Sequence, residues 1–173
     1  MVGRGVLLDY AAWAKSQNIT PALRATTEIT VTDLEAIAGA QGVVFQPGDI
    51  LFVHSGFVKS LERLPDEEAS AYAANNPPSA IGVKSCEESL NWIWEKQFAA
   101  VAGDMPAFEA IPFQSTTHWM HEWLLAGWGM PIGELFDLEK LAEECERLKK
   151  WSFFFSSVPL NVSLRFNRCR NLC

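Results

Sequence analysis

The segment THWMHEWLLAGWGMPIGELFDL, which ends at Leu138, holds His118 and His121, two of the chain's three histidines, together with Glu122 and Glu134 among apolar residues. Histidines three apart share a face where the chain is helical, so this pair could touch one ion. Gly127, Gly129 and Pro131 then break the helix, and the chain turns so that Glu134 comes back toward His121. An imidazole plus a carboxylate is half of a ligand set for zinc or manganese, which takes roughly three or four protein ligands. The same residues also have structural readings. His118 and His121 read as satisfied imidazoles, and Glu134 as a solvated or helix-capping carboxylate.

Two more polar residues stand where apolar strands end. Asp104 follows Val101-Ala102-Gly103, and His54 follows Ile50 to Val53. Strand ends are where α/β folds collect site residues, although an aspartate there also serves as a turn or cap residue. The order HxxHE differs from HExxH and HxxEH, which excludes the helical zinc-protease signatures. P-loop, GxGxxG and GxSxG patterns are absent from the sequence, so nucleotide binding and nucleophile-elbow hydrolysis have no support.

Bulk properties narrow the classes further. A 173-residue chain with 49% hydrophobic content, seven Trp and eleven Phe can fill a globular core. A net charge of -7 and a pI near 5.0 argue against nucleic acid, whose phosphates need a basic face. Apolar runs fall short of the roughly 20 residues that span a bilayer, and the first ten residues lack signal-peptide order, so a cytoplasmic protein without membrane partners is expected. Cys86, Cys145, Cys169 and Cys173 form no CxxC pair, and the first two read as buried or half-buried thiols. Asn161-Val162-Ser163 fits a glycosylation acceptor that a cytoplasmic protein would not use.

The elements that must position these residues are legible in outline. Val6-Leu7-Leu8, closed by Asp9, predicts a buried strand followed by a helical turn with Trp13. Thr32-Asp33-Leu34-Glu35 has a capping-box pattern and predicts a helix from Asp33 to about Gln41. Ile50 to Val53, after the Pro47-Gly48-Asp49 turn, is a continuous apolar run and predicts a central strand covered on both faces. Phe57 to about Ala74 predicts helix broken at Pro65, and Asn75-Asn76-Pro77-Pro78 stops it. Ser85-Cys86-Glu87-Glu88 predicts a second capping box, opening a helix with Leu90, Ile93 and Trp94 on or beside its buried face. Leu138 to Lys150 is amphipathic, and Trp151 to Val158 predicts the last strand. Strands separated by helices predict an α/β domain.

RGVLLD (4–9), PGDILFVHSGF (47–57), VAGD (101–104) and HEWLLAGWGMPIGELFDL (121–138) together resemble the cyclase family that includes bacterial kynurenine formamidase and isatin hydrolase. The wording is nearest to fungal members, and the resemblance covers residues 3–161. It implies a metal-dependent hydrolase of an amide, formamide or lactam C–N bond, linked to tryptophan catabolism. The fold implied is a swivelling β/β/α domain with a mixed sheet and flanking helices, usually in a homo-oligomer. His121 and Glu134 match the family's later metal ligands, for zinc or manganese. Asp104 falls in the stretch leading to that helix, and His118 matches no ligand. Asp104, His118 and Trp119 are therefore candidates for supporting contacts or a substrate pocket, with Trp123 and Trp128 nearby, although tryptophans at this spacing also suit a core.

The family's earlier motif, HxGTHxDxPxH, supplies the remaining ligands and an acid-base histidine, and it precedes the RGVLLD strand. The expectation is therefore a partial cyclase-like domain over 1–162 without that motif, whose activity needs an upstream segment or partner chain. Residues 163–173 read as a divergent basic, disordered tail, and Val-Ser at 162–163 is compatible with intron read-through. Two functions stand side by side. One is the amide or lactam hydrolase acting on an aryl substrate. The other is a non-catalytic truncated product acting through association with other chains.

Overall fold

The architecture grows from the apolar run at Ile50, which forms strand β3 (Ile50–His54), buried at every position. In the computed structural model, which describes residues 1–75 and 78–158, β3 lies in the middle of a five-stranded sheet. The strand on one side is β1 (Val2–Asp9), parallel to β3 with Leu7 opposite Phe52 and Asp9 opposite His54. Glu28–Ile29 and Gly82–Val83 form a separate two-stranded parallel sheet as β2 and β4. On the other side of β3 run β5 (Ala100–Gly103) and then β6 (Ile132–Gly133), both parallel. The last strand, β7 (Ser152–Ser156), returns antiparallel along β1, which makes the sheet mixed.

Successive strand residues point to opposite faces, so a run that is apolar at both phases builds two cores. Leu8, Leu51, Val53 and Val101 pack against three helices on one face. These are α1 (Tyr10–Ser16), α2 (Val31–Gln41) and α5 (Glu87–Glu95). Leu7, Ile50, Phe52, Ala100 and Ala102 face the other way, onto α6 (Glu139–Leu148) and Trp151. Cys145 is buried there as a free thiol, and Cys86 is half-buried. Gly5 is required where β7 crosses β1, because a Cβ there would stand 2.3 Å from the Phe153 ring.

The helix between β3 and Asn75 breaks near Pro65 as expected, into α3 (Phe57–Glu62) and α4 (Asp66–Ala73). Two local expectations are corrected. The α2 capping box is Thr30 with Asp33 rather than Thr32 with Glu35. Glu35 is turned instead toward the α5 side chains, accepting from Trp92 Nε1 at 2.5 Å and pairing with Lys96 at 2.8 Å. The cap of α5 is Cys86 without a side-chain bond, because the Ser85 hydroxyl donates to the His118 carbonyl at 2.8 Å. Among the described residues no helix is long and apolar enough to cross a membrane. The basic tail at 163–173, with Cys169, Cys173 and the Asn161-Val162-Ser163 acceptor pattern, lies outside the described residues.

Candidate functional site

The parallel strands deliver four polar residues to one edge of the sheet. In spatial order, Glu134 follows β6, Asp104 follows β5, His54 ends β3 and Asp9 ends β1. Carboxyl-terminal strand ends are where open α/β sheets bind ligands. These residues sort into two groups by their hydrogen bonds.

The first group centres on His121. A six-residue π-helix (Glu122–Gly127) follows directly on this residue, with the wide Trp128 N–H to Trp123 carbonyl bond of 2.9 Å that defines such a turn. The following chain is pinned to the exit of β5 by Leu135 N–H to the Met105 carbonyl and Phe136 N–H to the Gly103 carbonyl. That path, with Leu135 at a left-handed φ of 53°, brings Glu134 Oε1 within 2.9 Å of His121 Nε2. The turn at Gly127, Gly129 and Pro131 thus returns Glu134 to His121.

The other ring nitrogen finds a residue that sequence reasoning missed. Glu109 is fully buried, and its Oε2 lies 2.8 Å from His121 Nδ1 while its Oε1 accepts from the His121 backbone N–H at 3.2 Å. Its own backbone is held against β4: Val83 N–H donates to the Phe108 carbonyl and Ala110 N–H to the Val83 carbonyl. Gly82 makes room for this, since a Cβ there would sit 2.2 Å from the Glu109 carbonyl carbon. The hydrogen bond to Glu109 raises the His121 pKa, burial opposes it, and the charges of Glu109 and Glu134 add to the rise.

His118 is not on the helix. The Ser115 hydroxyl accepts from the His118 backbone N–H, and the His118 ring reaches only the hydroxyls of Ser115 and Thr117. It does not share a face with His121, and the expected histidine pair is not formed. Trp119 lies beside His121 with ring centres 6.3 Å apart, and Phe113 completes the group at 4.7 Å from Trp119 and 6.4 Å from His121. Trp123 packs instead on Trp128, which packs on Trp94.

Asp104 belongs to the second group. It is buried, and its carboxylate accepts from Ser55 N–H at 2.7 Å, Ser55 Oγ at 2.8 Å and Phe57 N–H at 2.8 Å, which fixes the turn after β3. Beside it, His54 bridges Asp9 at 2.9 Å and Glu139 at 3.2 Å, and Lys59 closes the chain onto Glu139 at 2.5 Å. Burial alone would lower the His54 pKa. The Asp9 hydrogen bond and charge, with Asp104 and Glu139, outweigh it and push the pKa up to about 9.

The donor chemistry of the first group suits a divalent metal. Metal-ligating histidines commonly give their second ring N–H to a carboxylate, which is the place Glu109 takes. The neutral ring would then turn the Nε2 lone pair toward the Glu134 carboxylate, two acceptors that need a cation between them, whether proton or metal. The count falls short, however. Among the described residues no group of three His, Cys, Asp or Glu side chains is placed to hold an ion.

This mixed sheet with helices on both faces and polar strand ends defines an α/β domain of the cyclase type, as the comparisons show. The family model described as "Putative cyclase" matches residues 1–110, and the chain belongs to that family. A crystal structure of a novel cyclase superposes with TM-score 0.78 at 30% identity, covering 94% of this chain and 50% of that one. Isatin hydrolase A from Labrenzia aggregata, solved bound to benzyl benzoate, gives TM-score 0.64 at 15% identity, covering 94% and 56%. The isatin hydrolase A from Ralstonia solanacearum gives 0.57 at 15%, covering 80% and 49%. The chain therefore spans about half the length of the solved structures it matches. No curated protein matches it by sequence.

Proposed function

We propose that this chain carries part of a metal-dependent hydrolase that opens an amide, formamide or lactam C–N bond. His121 and Glu134 would provide two of the ligands to zinc or manganese, and an additional segment or partner chain would provide the others. The observation that carries the reading is the Glu109–His121–Glu134 line, a carboxylate-oriented imidazole whose free nitrogen faces a second carboxylate. When bound, such an ion lowers the pKa of its water toward neutrality and polarises the substrate carbonyl. Phe113 and Trp119 offer an open aromatic shelf beside it, suited to an aryl substrate. The working unit in this reading is a cytoplasmic homo-oligomer without nucleic-acid or membrane partners.

The two-ligand count favours a second reading, a non-catalytic chain that acts through association with other chains. Elemental analysis of the purified chain separates the two. Near-stoichiometric zinc or manganese, removed by both His121→Ala and Glu134→Ala, supports the hydrolase and directs trials with formamide and lactam substrates. A metal-free protein after incubation with either ion means that His121 and Glu134 do not hold an ion without the further ligands, and it favours the association reading.

A further inference from the structure

We infer that Glu109 is a positioning residue that fixes His121 with Nδ1 protonated and Nε2 as its outward, ligand-presenting nitrogen. The inference deepens the metal reading above and rests on it for its purpose, and the tautomer is argued from the two bonds that Glu109 makes to this residue against the single one from Glu134. One carboxylate holds both the ring and the backbone of the same residue, at 2.8 Å to Nδ1 and 3.2 Å to the amide nitrogen. Two anchors on one residue restrict both rotation of the side chain and tilt of the ring. Glu109 is itself fully buried, and it pairs with His121. A carboxylate withdrawn from water to this degree is costly unless it is paired.

The placement of Glu109 is also over-determined. Its backbone is bonded to β4 on both sides, and Gly82 is the residue that lets it approach so closely. A carboxylate that only capped the first turn of the π-helix would need the amide contact alone. The second oxygen on Nδ1 serves the ring instead, and an N–H donor at Nδ1 leaves the lone pair on Nε2, which faces Glu134.

The test is long-range ¹H–¹⁵N NMR of the neutral imidazoles in the metal-free full chain, with the His121 signals assigned by their loss in His121→Asn. The expected result is a dominant Nδ1–H tautomer at His121, shifting toward Nε2–H in Glu109→Gln, whose amide can donate to Nδ1. A wild-type ring found as Nε2–H overturns the inference whether or not the variant folds. A folded Glu109→Gln protein with an unchanged tautomer ratio overturns it as well. A parallel zinc titration reads the consequence: Glu109→Gln should weaken binding roughly ten- to a hundredfold. Failure of the wild-type chain to bind zinc would count against the metal reading, and the tautomer result would still decide the role of Glu109.

Discussion

Asp9 and His54 end neighbouring parallel strands in register, and their side chains meet at 2.9 Å with almost no exposure to water. The pair extends through Glu139 to Lys59 and so ties the ends of β1 and β3 to α3 and α6. Because the folded His54 pKa, about 9, lies above the unfolded value near 6.5, its contribution to stability is complete below pH 6.5. It is lost as the pH rises toward 9. The full span amounts to on the order of 3 kcal/mol. Thermal unfolding measured between pH 6 and 10 should show this decline, and His54→Gln should flatten it. An equal decline in the variant would assign the effect to other groups.

Asp104 should behave as a clamp and not as a metal ligand. Asp104→Asn replaces one of the two accepting oxygens with an amide donor, and so leaves the buried N–H of either Ser55 or Phe57 without a good acceptor. The expected cost is about 2–3 kcal/mol, read from the urea midpoint at constant slope. Metal content, measured on the same preparation, should match that of the unsubstituted chain.

His118→Ala is expected to change stability by less than about 0.5 kcal/mol, since its ring bonds only to flanking hydroxyls. Zinc affinity should also be unaffected. A loss of zinc binding would return His118 to the ligand set, against its placement before the helix.

How much of this was legible in the sequence depends on whether the determining contact is local. The central position of β3 was readable because a strand covered on both faces must be apolar at every residue. Glu134 beside His121 was readable because glycines and a proline close the intervening turn. Glu109 was not, since its burial comes from the approach of Gly82 far earlier in the chain, and a lone glutamate between Phe108 and Ala110 carries no periodic signal. The α2 cap shows the same limit. Thr30 to Asp33 and Thr32 to Glu35 both fit the pattern, and what settles the choice is that Trp92 and Lys96 engage Glu35. Thr30→Ala should therefore cost about 1 kcal/mol and exposed Thr32→Ala almost nothing, as compared by chemical denaturation.

The seating of β7 against β1 rests on one close approach, at Gly5 opposite Phe153. Phe153 occupies the space where Gly5 lacks a side chain, and it packs on Phe52 at 5.5 Å between ring centres. Gly5→Ala places a methyl group 2.3 Å from that ring, so the strands must separate or the ring must leave its rotamer. Overpacking of this kind costs about 1–3 kcal/mol. Phe153→Val alone should also destabilise, through the lost ring, but the double substitution should be less harmful than the sum because the added methyl then has room. A double-mutant cycle from urea unfolding measures that difference. A coupling energy near zero would mean that Phe153 is not seated on Gly5.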